Sequence, residues 1–281
     1  HVMLPFSKPE WDKRLRIKKK NTAPGHSQVR VDHLAAAPES ANRKIRALCN
    51  MSVLSGVPVD MWLTELIWKL PKDPGTPKID RLRPLKFLEI TRKMTQGLLK
   101  NRLSEVWVRE ELISPEQFGS MPDMSTFQPA LIKRMVAEDA MHYNKNMFAL
   151  DEDLTKGFDK VESWVKDAAL RRFGVPDKAR NYLLAFDKGN RNQVITPFGL
   201  TEEFHAEAAS LAQGCESSPI LWVCVMDMLL EYTKANNPLP YEYTVNNKGE
   251  TVSIGQILYV DDGTYITRTE AALRAVAEAT Q

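Results

Sequence analysis

The chain has 281 residues, of which 43% are hydrophobic and 26% charged, and its formal net charge is only +2. This content is enough for one large or two small cores, and a charge so close to zero does not by itself indicate a nucleic-acid-binding protein. No stretch approaches eighteen consecutive apolar residues, so we expect no membrane partner. The three cysteines are too few for a disulfide framework, which favours an intracellular, reducing compartment. The sequence does not distinguish the nucleus from an organelle.

Helical and strand-like patterns alternate along the chain. Helices are predicted at about 38–54, 90–106, 125–140, 159–173, 176–187 and 217–235. Strands are predicted at 147–150, near 193–196, at 252–260 and at 264–267, and alanines from residue 271 onward predict a last helix. The final two strands form a predicted hairpin. This mixture, with helices and strands in separate stretches, predicts an α+β fold.

Basic residues are concentrated in two parts of the sequence. In the first cluster, Lys18, Lys19 and Lys20 follow Lys13, Arg14 and Arg16. The segment 81–102 contains the second cluster, which ends at Arg102. Both clusters could face phosphate groups. The alternative for each is a solvated helix face or a mobile tail.

Two acidic sites stand out from the pattern of predicted strands. Asp153 closes a run of three acids at the end of the strand 147–150, and Asp261 and Asp262 lie at the turn of the predicted hairpin. Taken alone, two aspartates at a turn have an ordinary explanation, because aspartate tolerates turn geometry and is well solvated there. The sequence around these acids gives them more weight.

Three motifs in order resemble those of reverse transcriptases. The segment 259–262, YVDD, resembles the YVDD hairpin of that family, 153–159, DLTKGFD, resembles its DLSKAFD segment, and 213–222, QGCESSPILW, resembles its QGCPLSP-x-LF segment. Further matches upstream extend the resemblance from about residue 18 to residue 275. The chain looks most like the reverse transcriptases of non-LTR retrotransposons and group II introns.

The resemblance implies an α+β right-hand polymerase fold with fingers and palm, in which an antiparallel palm sheet packs on helices. Fingers are expected mainly over 1–145, and the palm, with the metal-binding motifs, mainly over 146–281. We expect the chain to stop before the thumb, so that further protein segments or subunits would supply that part.

The implied activity is RNA-directed DNA polymerisation, in which dNTPs are added to the 3′-hydroxyl of a DNA primer on an RNA template. Such nucleotidyl transfer requires two divalent cations with hard oxygen ligands, which favours Mg²⁺, with Mn²⁺ as the alternative. By resemblance, Asp153, Asp261 and Asp262 are the expected catalytic and metal-binding residues. The backbone carbonyl of Leu154 is the expected fourth metal ligand.

The resemblance also implies which residues contact the substrates. The expected dNTP-binding residues are Lys72 and Arg83 at the triphosphate, Phe158 against the ribose 2′ position, and Gln213 at the incoming nucleotide. The expected nucleic-acid-binding residues are Lys18, Lys19, Lys20, Arg102, Gly214 and Tyr259. A solvated loop lysine is the alternative for Lys72, and a core phenylalanine is the alternative for Phe158.

Some positions depart from the family pattern. Ala212 replaces a frequent arginine, Glu216 replaces a frequent proline, and Asp123-Met124 replaces a Gly-Arg pair. The departures concern the expected substrate contacts. Two other functions stay open. One is a catalytically idle RNA-binding or structural subunit of a ribonucleoprotein, and the other is a polymerase of a different palm family.

Overall fold

The computed structural model describes residues 2–71, 75, 82–121, 123–154, 157–205, 211–212, 214–246 and 249–280, without the side chain of Asp159. Its helices are α1 (Lys8–Ile17), α2 (Val31–Ala36), α3 (Glu39–Ser55), α4 (Ile90–Arg109), α5 (Phe127–His142), α6 (Gly157–Lys160), α7 (Ser163–Arg172), α8 (Asp177–Lys188), α9 (Ser218–Asn236) and α10 (Glu270–Ala279). Its strands are β1 (Thr64–Pro71), β2 (Leu82–Phe87), β3 (Phe148–Asp153), β4 (Arg191–Thr196), β5 (Gly199–Leu200), β6 (Tyr241–Thr244), β7 (Thr251–Ile254), β8 (Gln256–Tyr259) and β9 (Asp262–Thr267). None of the helices in these ranges is both long enough and apolar enough to cross a membrane.

The chain forms two compact units, each made of two segments. Unit 1 combines His1–Arg109 with Phe158–Leu221, and unit 2 combines Glu110–Gly157 with Trp222–Gln281. The division of the sequence into fingers over 1–145 and palm over 146–281 stays a prediction.

Unit 1 contains a four-stranded mixed sheet in the order β2-β1-β4-β5. β1 pairs antiparallel with β2 and parallel with β4. β2 was not predicted because Pro84 lies in its middle, and a proline cannot donate to a sheet. As β2 is an edge strand, the missing donor is tolerated there. The core of unit 1 includes Trp107, whose ring centroid lies 4.9 Å from the ring centroid of Phe173.

Unit 2 contains a three-stranded sheet in the order β3-β9-β8 and a separate β6–β7 pair, and all of these pairings are antiparallel. Helices α5 and α10 pack against the three-stranded sheet. The buried side chains of Val136 and Ala140 on α5 meet Tyr241, Ile257 and Ile266 in one core. The expected antiparallel sheet packed on helices is therefore confirmed, and the fold is α+β.

Most predicted elements are confirmed, and two are wrong in extent. The helix predicted at 159–173 is two helices, α6 and α7, because Glu162 is extended at the start of α7. The strand predicted at 252–260 is also two elements. The residues before Gly255 pair with β6, whereas those after it pair with β9, so the chain changes partners at this glycine.

Candidate active site

The sheet of unit 2 brings the three predicted catalytic aspartates to one end. In the pairing of β3 with β9, Asp153 lies opposite Asp262, and in the pairing of β8 with β9, Asp262 lies opposite Tyr259. Residues directly opposite in an antiparallel sheet project to the same face. Asp261 occupies the turn between β8 and β9, so the three carboxylates are carried by adjoining strand ends.

The hairpin turn is held by contacts from elsewhere in unit 2. Val260 has φ +61°, a conformation that is unusual for a β-branched residue. Its carbonyl accepts a 2.7 Å hydrogen bond from the indole Nε1 of Trp222. Gly119 lies directly against it, since a Cβ added at Gly119 would be 2.1 Å from the Val260 nitrogen. Trp222 and Gly119 therefore both hold the turn in a specific conformation.

The segment 116–119 runs alongside β8. The Phe118 amide donates to the Leu258 carbonyl, and the Leu258 amide donates to the Glu116 carbonyl, both at 2.8 Å. These bonds give β8 a second hydrogen-bonded neighbour beside β9. The sequence alone did not show that this segment supports the hairpin.

Asp261 is affected by the charges of the other two aspartates. The pKa of Asp261 is raised above its usual value, first by partial burial and then by the negative charges of Asp262 and Asp153. Carboxylates that disfavour one another's ionisation are stabilised by a nearby cation. The field at this end of the sheet therefore favours binding of positive charge.

The other two acids of β3 lie in different surroundings. Asp151 accepts hydrogen bonds from the Thr264 hydroxyl and from Lys133 Nζ at 3.0 Å, and both lower its pKa. Glu152 projects to the opposite face, where burial and then the charge of Glu152 raise the pKa of Tyr265. Strand alternation thus removes Glu152 from the face that Asp151 and Asp153 share. The roles of Lys133 and Thr264 had no signal in the sequence.

The donor set suits a hard cation. Within the described ranges, no three His, Cys, Asp or Glu side chains are grouped closely enough to hold a metal ion. Magnesium, however, takes only one or two protein carboxylates and completes its shell with substrate phosphates and water. The Leu154 carbonyl accepts a 3.2 Å bond from the Gly157 amide, and a carbonyl oxygen has a second lone pair available. The aspartates and this carbonyl fit Mg²⁺ in that sense.

Several predicted substrate contacts belong to unit 1. Arg83 is exposed on β2, and Phe158 is half-buried in α6, with its carbonyl accepting a 2.8 Å bond from the Leu211 amide. Gly214 has φ +112°, and a Cβ there would be 2.6 Å from the Lys86 carbonyl oxygen. Lys72 and Gln213 lie outside the described residues.

Two predicted nucleic-acid contacts are corrected by the structure. The Arg102 side chain is only 7% exposed, and its guanidinium binds Glu10 and three backbone carbonyls of the N-terminal segment. Lys18 is equally buried and pairs with Glu216. Both cationic side chains bind partners inside unit 1 and are too buried to contact phosphate groups. Lys19 and Lys20 are exposed, as the prediction requires.

An antiparallel sheet that carries one acid at a strand end and two more at the adjacent hairpin defines the palm of a template-directed polymerase. The chain belongs to the reverse transcriptase (RNA-dependent DNA polymerase) family, whose model matches residues 70–281. It is 26% identical over 238 residues to the retrovirus-related Pol polyprotein from type-1 retrotransposable element R2 of Nasonia vitripennis. That match covers 84% of this chain and 22% of the relative, so the chain spans about a fifth of the relative's length.

Two solved structures show the same fold. Apo telomerase from Candida tropicalis matches 85% of this chain and 45% of its own, with a TM-score of 0.53 and 10% identity. The same telomerase truncated from its C-terminal domain matches 85% and 51%, with a TM-score of 0.50 and 12% identity. At this level of identity, the likeness supports the fold alone.

Proposed function

We propose that this chain is the catalytic part of an RNA-directed DNA polymerase, which adds dNTPs to the 3′-hydroxyl of a DNA primer on an RNA template. The observation that supports this function is the placement of Asp153, Asp261 and Asp262 at adjoining strand ends in the sheet of unit 2. Membership of the reverse transcriptase family supports the same reaction.

Asp153 and Asp261 are the proposed principal ligands of two Mg²⁺ ions, or Mn²⁺ as the alternative, with Asp262 in support. The Leu154 carbonyl is a further proposed ligand. Ions held there would supply a lowered pKa at the primer 3′-hydroxyl and positive charge beside the leaving pyrophosphate. The chain contributes orientation, since Trp222 and Gly119 hold the turn that carries Asp261.

The substrate contacts follow from the resemblance and the exposure of the residues. Arg83, together with Lys72, is proposed to bind the triphosphate, because a guanidinium pairs well with phosphate oxygens. Phe158 is proposed to exclude the ribose 2′-hydroxyl. The remaining proposed contacts are Gln213 with the incoming nucleotide, and Gly214, Tyr259, Lys19 and Lys20 with nucleic acid. Further protein segments or subunits are proposed to act as the thumb.

The proposal is tested by primer extension on poly(rA)/oligo(dT) with dTTP and Mg²⁺. We compare the full-length protein with an Asp261→Ala, Asp262→Ala double variant. The expected result is a loss of about 10³-fold or more in rate, since each tenfold corresponds to about 1.4 kcal/mol and metal-assisted charge stabilisation is worth several kcal/mol.

Asp151→Asn is the matched control, because it removes one carboxylate from the same sheet face while leaving the three aspartates in place. Its rate is expected to stay within about twofold, since its ion pair with Lys133 is exposed and such pairs contribute little. If the folded protein binds the RNA template but does not extend the primer, the proposal is wrong and a structural subunit takes its place.

A further inference from the structure

Glu216 is a departure from the family pattern, and the structure shows what it binds. It follows Gly214 and Cys215 in the middle motif, where the family frequently has proline. One oxygen of its carboxylate accepts from Arg14 Nη2 and the other from Lys18 Nζ. The side chains of Arg14 and Lys18 are 9% and 7% exposed, and that of Glu216 is 29% exposed. These ion pairs are therefore mostly shielded from water.

The position of Arg14 depends on a close approach between two helices. α1 packs on α4, and a Cβ added at Gly97 of α4 would lie 2.3 Å from Arg14 Nη2. Only glycine leaves room for the guanidinium at this point of the helix. Arg14 is thus enclosed by packing and directed at Glu216.

The charges of this cluster depend on one another. Burial alone would raise the pKa of Glu216, but the hydrogen bond from Lys18 and the charge of Arg14 hold it below its usual value. The pKa of the neighbouring Lys93 is lowered, first by burial and then by the charge of Lys18. Neutralising Glu216 would leave buried cations facing one another, which is costly.

The same segment is anchored on its other side. Gly214 lies against the Lys86 carbonyl, the Cys215 amide donates to Ala212 at 3.0 Å, and the Cys215 thiol lies 3.0 Å from Oε1 of Gln96. A proline at 216 would fix φ covalently, whereas glutamate leaves φ free. The two ion pairs of Glu216 restrain the same residue through its side chain instead of its backbone.

We propose that Arg14, Lys18 and Glu216 are positioning residues, through which α1 holds the segment 214–217 in the geometry that binds the incoming nucleotide. This inference rests on the proposed polymerase function. It predicts that removing the charge of Glu216 weakens nucleotide binding more than it slows the chemical step.

The test is steady-state primer extension by Glu216→Gln, with KM for dTTP and kcat measured separately. The expected result is a rise in KM of about fivefold to tenfold with kcat within about twofold, which corresponds to about 1 to 1.4 kcal/mol of binding free energy. Arg14→Gln should have the same effect, and the double variant should be no worse than either single one, since the two residues act as a pair.

Asp12→Asn is the matched control, because it removes an exposed ion pair with Lys8 from the same helix α1. KM is expected to stay unchanged in this variant. An unchanged KM in folded Glu216→Gln, or additive effects in the double variant, would overturn the proposal.

Hydrogen exchange separates this proposal from the polymerase function. Amides 214–217 should exchange faster in Glu216→Gln and Arg14→Gln than in Asp12→Asn, whether or not the protein extends primers. If the wild-type protein does not extend primers, that result contradicts the proposed polymerase function but not the restraint of the segment 214–217 by α1. Equal exchange in all three variants would show that α1 does not restrain the segment.

Discussion

The guanidinium of Arg102 clamps the N-terminal segment of unit 1, and its removal provides a sharp test of the structure. It donates to the two oxygens of Glu10 at 2.9 and 3.0 Å, and to the carbonyls of Val2 and Leu4 at 2.9 and 2.6 Å. It also lies 4.8 Å from the centroid of the Phe6 ring. We predict that Arg102→Met lowers the free energy of unfolding but not the affinity for nucleic acid.

The size of the effect follows from these contacts. Breaking a buried ion pair costs about 3 to 5 kcal/mol, and hydrogen bonds to a charged group are worth about 1.5 to 3 kcal/mol. The Glu10 side chain is 35% exposed, so solvent screens part of its attraction. Methionine keeps some of the packing of the Arg102 stem. The expected loss is therefore about 2 to 4 kcal/mol.

The assay is urea unfolding at pH 7 beside fluorescence anisotropy of a labelled primer–template at two salt concentrations. Lys20→Gln is the control with the opposite expectation: unchanged unfolding, but weaker binding and a smaller salt dependence, because Lys20 is exposed. Lower affinity in Arg102→Met with unchanged stability would refute the reasoning.

The same pair predicts a pH dependence. The hydrogen bond from Arg102 lowers the pKa of Glu10 from 4.5 to about 2. Since the folded-state pKa is depressed, this stabilisation is present above pH 4.5 and is lost as the pH falls towards 2. The difference in unfolding free energy between wild type and Arg102→Met should therefore shrink between about pH 4.5 and pH 2. A constant difference over this range would contradict the assignment of Glu10 as the partner.

Three further substitutions test unit 2 by urea unfolding and primer extension. Gly119→Ala should lower the free energy of unfolding by about 1 to 3 kcal/mol and slow primer extension, because the added Cβ meets the Val260 backbone. Wild-type stability and extension rate in this variant would show that the close contact between Gly119 and Val260 is not needed. Trp222→Phe should lower the free energy of unfolding by about 1 kcal/mol, because the hydrogen bond to the Val260 carbonyl is lost. Extension at the wild-type rate would show that catalysis does not require this hydrogen bond. Tyr241→Phe should cost about 1.5 to 3 kcal/mol, since its hydroxyl donates to buried Asp139 at 2.6 Å, and an equal loss in exposed Tyr232→Phe would argue against this reason.

Short-range patterns in the sequence were sufficient to predict the end of the sheet that carries the three aspartates. Asp153 ends a short strand, Asp261 lies in the two-residue turn of the hairpin, and Asp262 begins the strand that follows. Such information is local, because strand, turn and acid are neighbours in the chain. Helices with clear periodicity were predictable for the same reason.

Strand partners and chain breaks were less accessible. The sequence 252–260 reads as one strand, yet β7 and β8 pair with different strands on either side of Gly255. β2 was not predicted because it contains Pro84. The proline is tolerated only because that strand lies at the edge of its sheet. Both outcomes depend on which strand lies next to which, and that is a property of the tertiary structure.

By itself, the sequence determined the family, the α+β class and the positions of the candidate catalytic acids. Only the tertiary structure decided which cations are free. Lys18 and Arg102 resemble Lys19 and Lys20 in sequence, but the first two are buried against Glu216 and Glu10, which are distant in the chain. The charge of a side chain is set by its type, whereas its availability to a phosphate depends on burial and on a partner brought by folding.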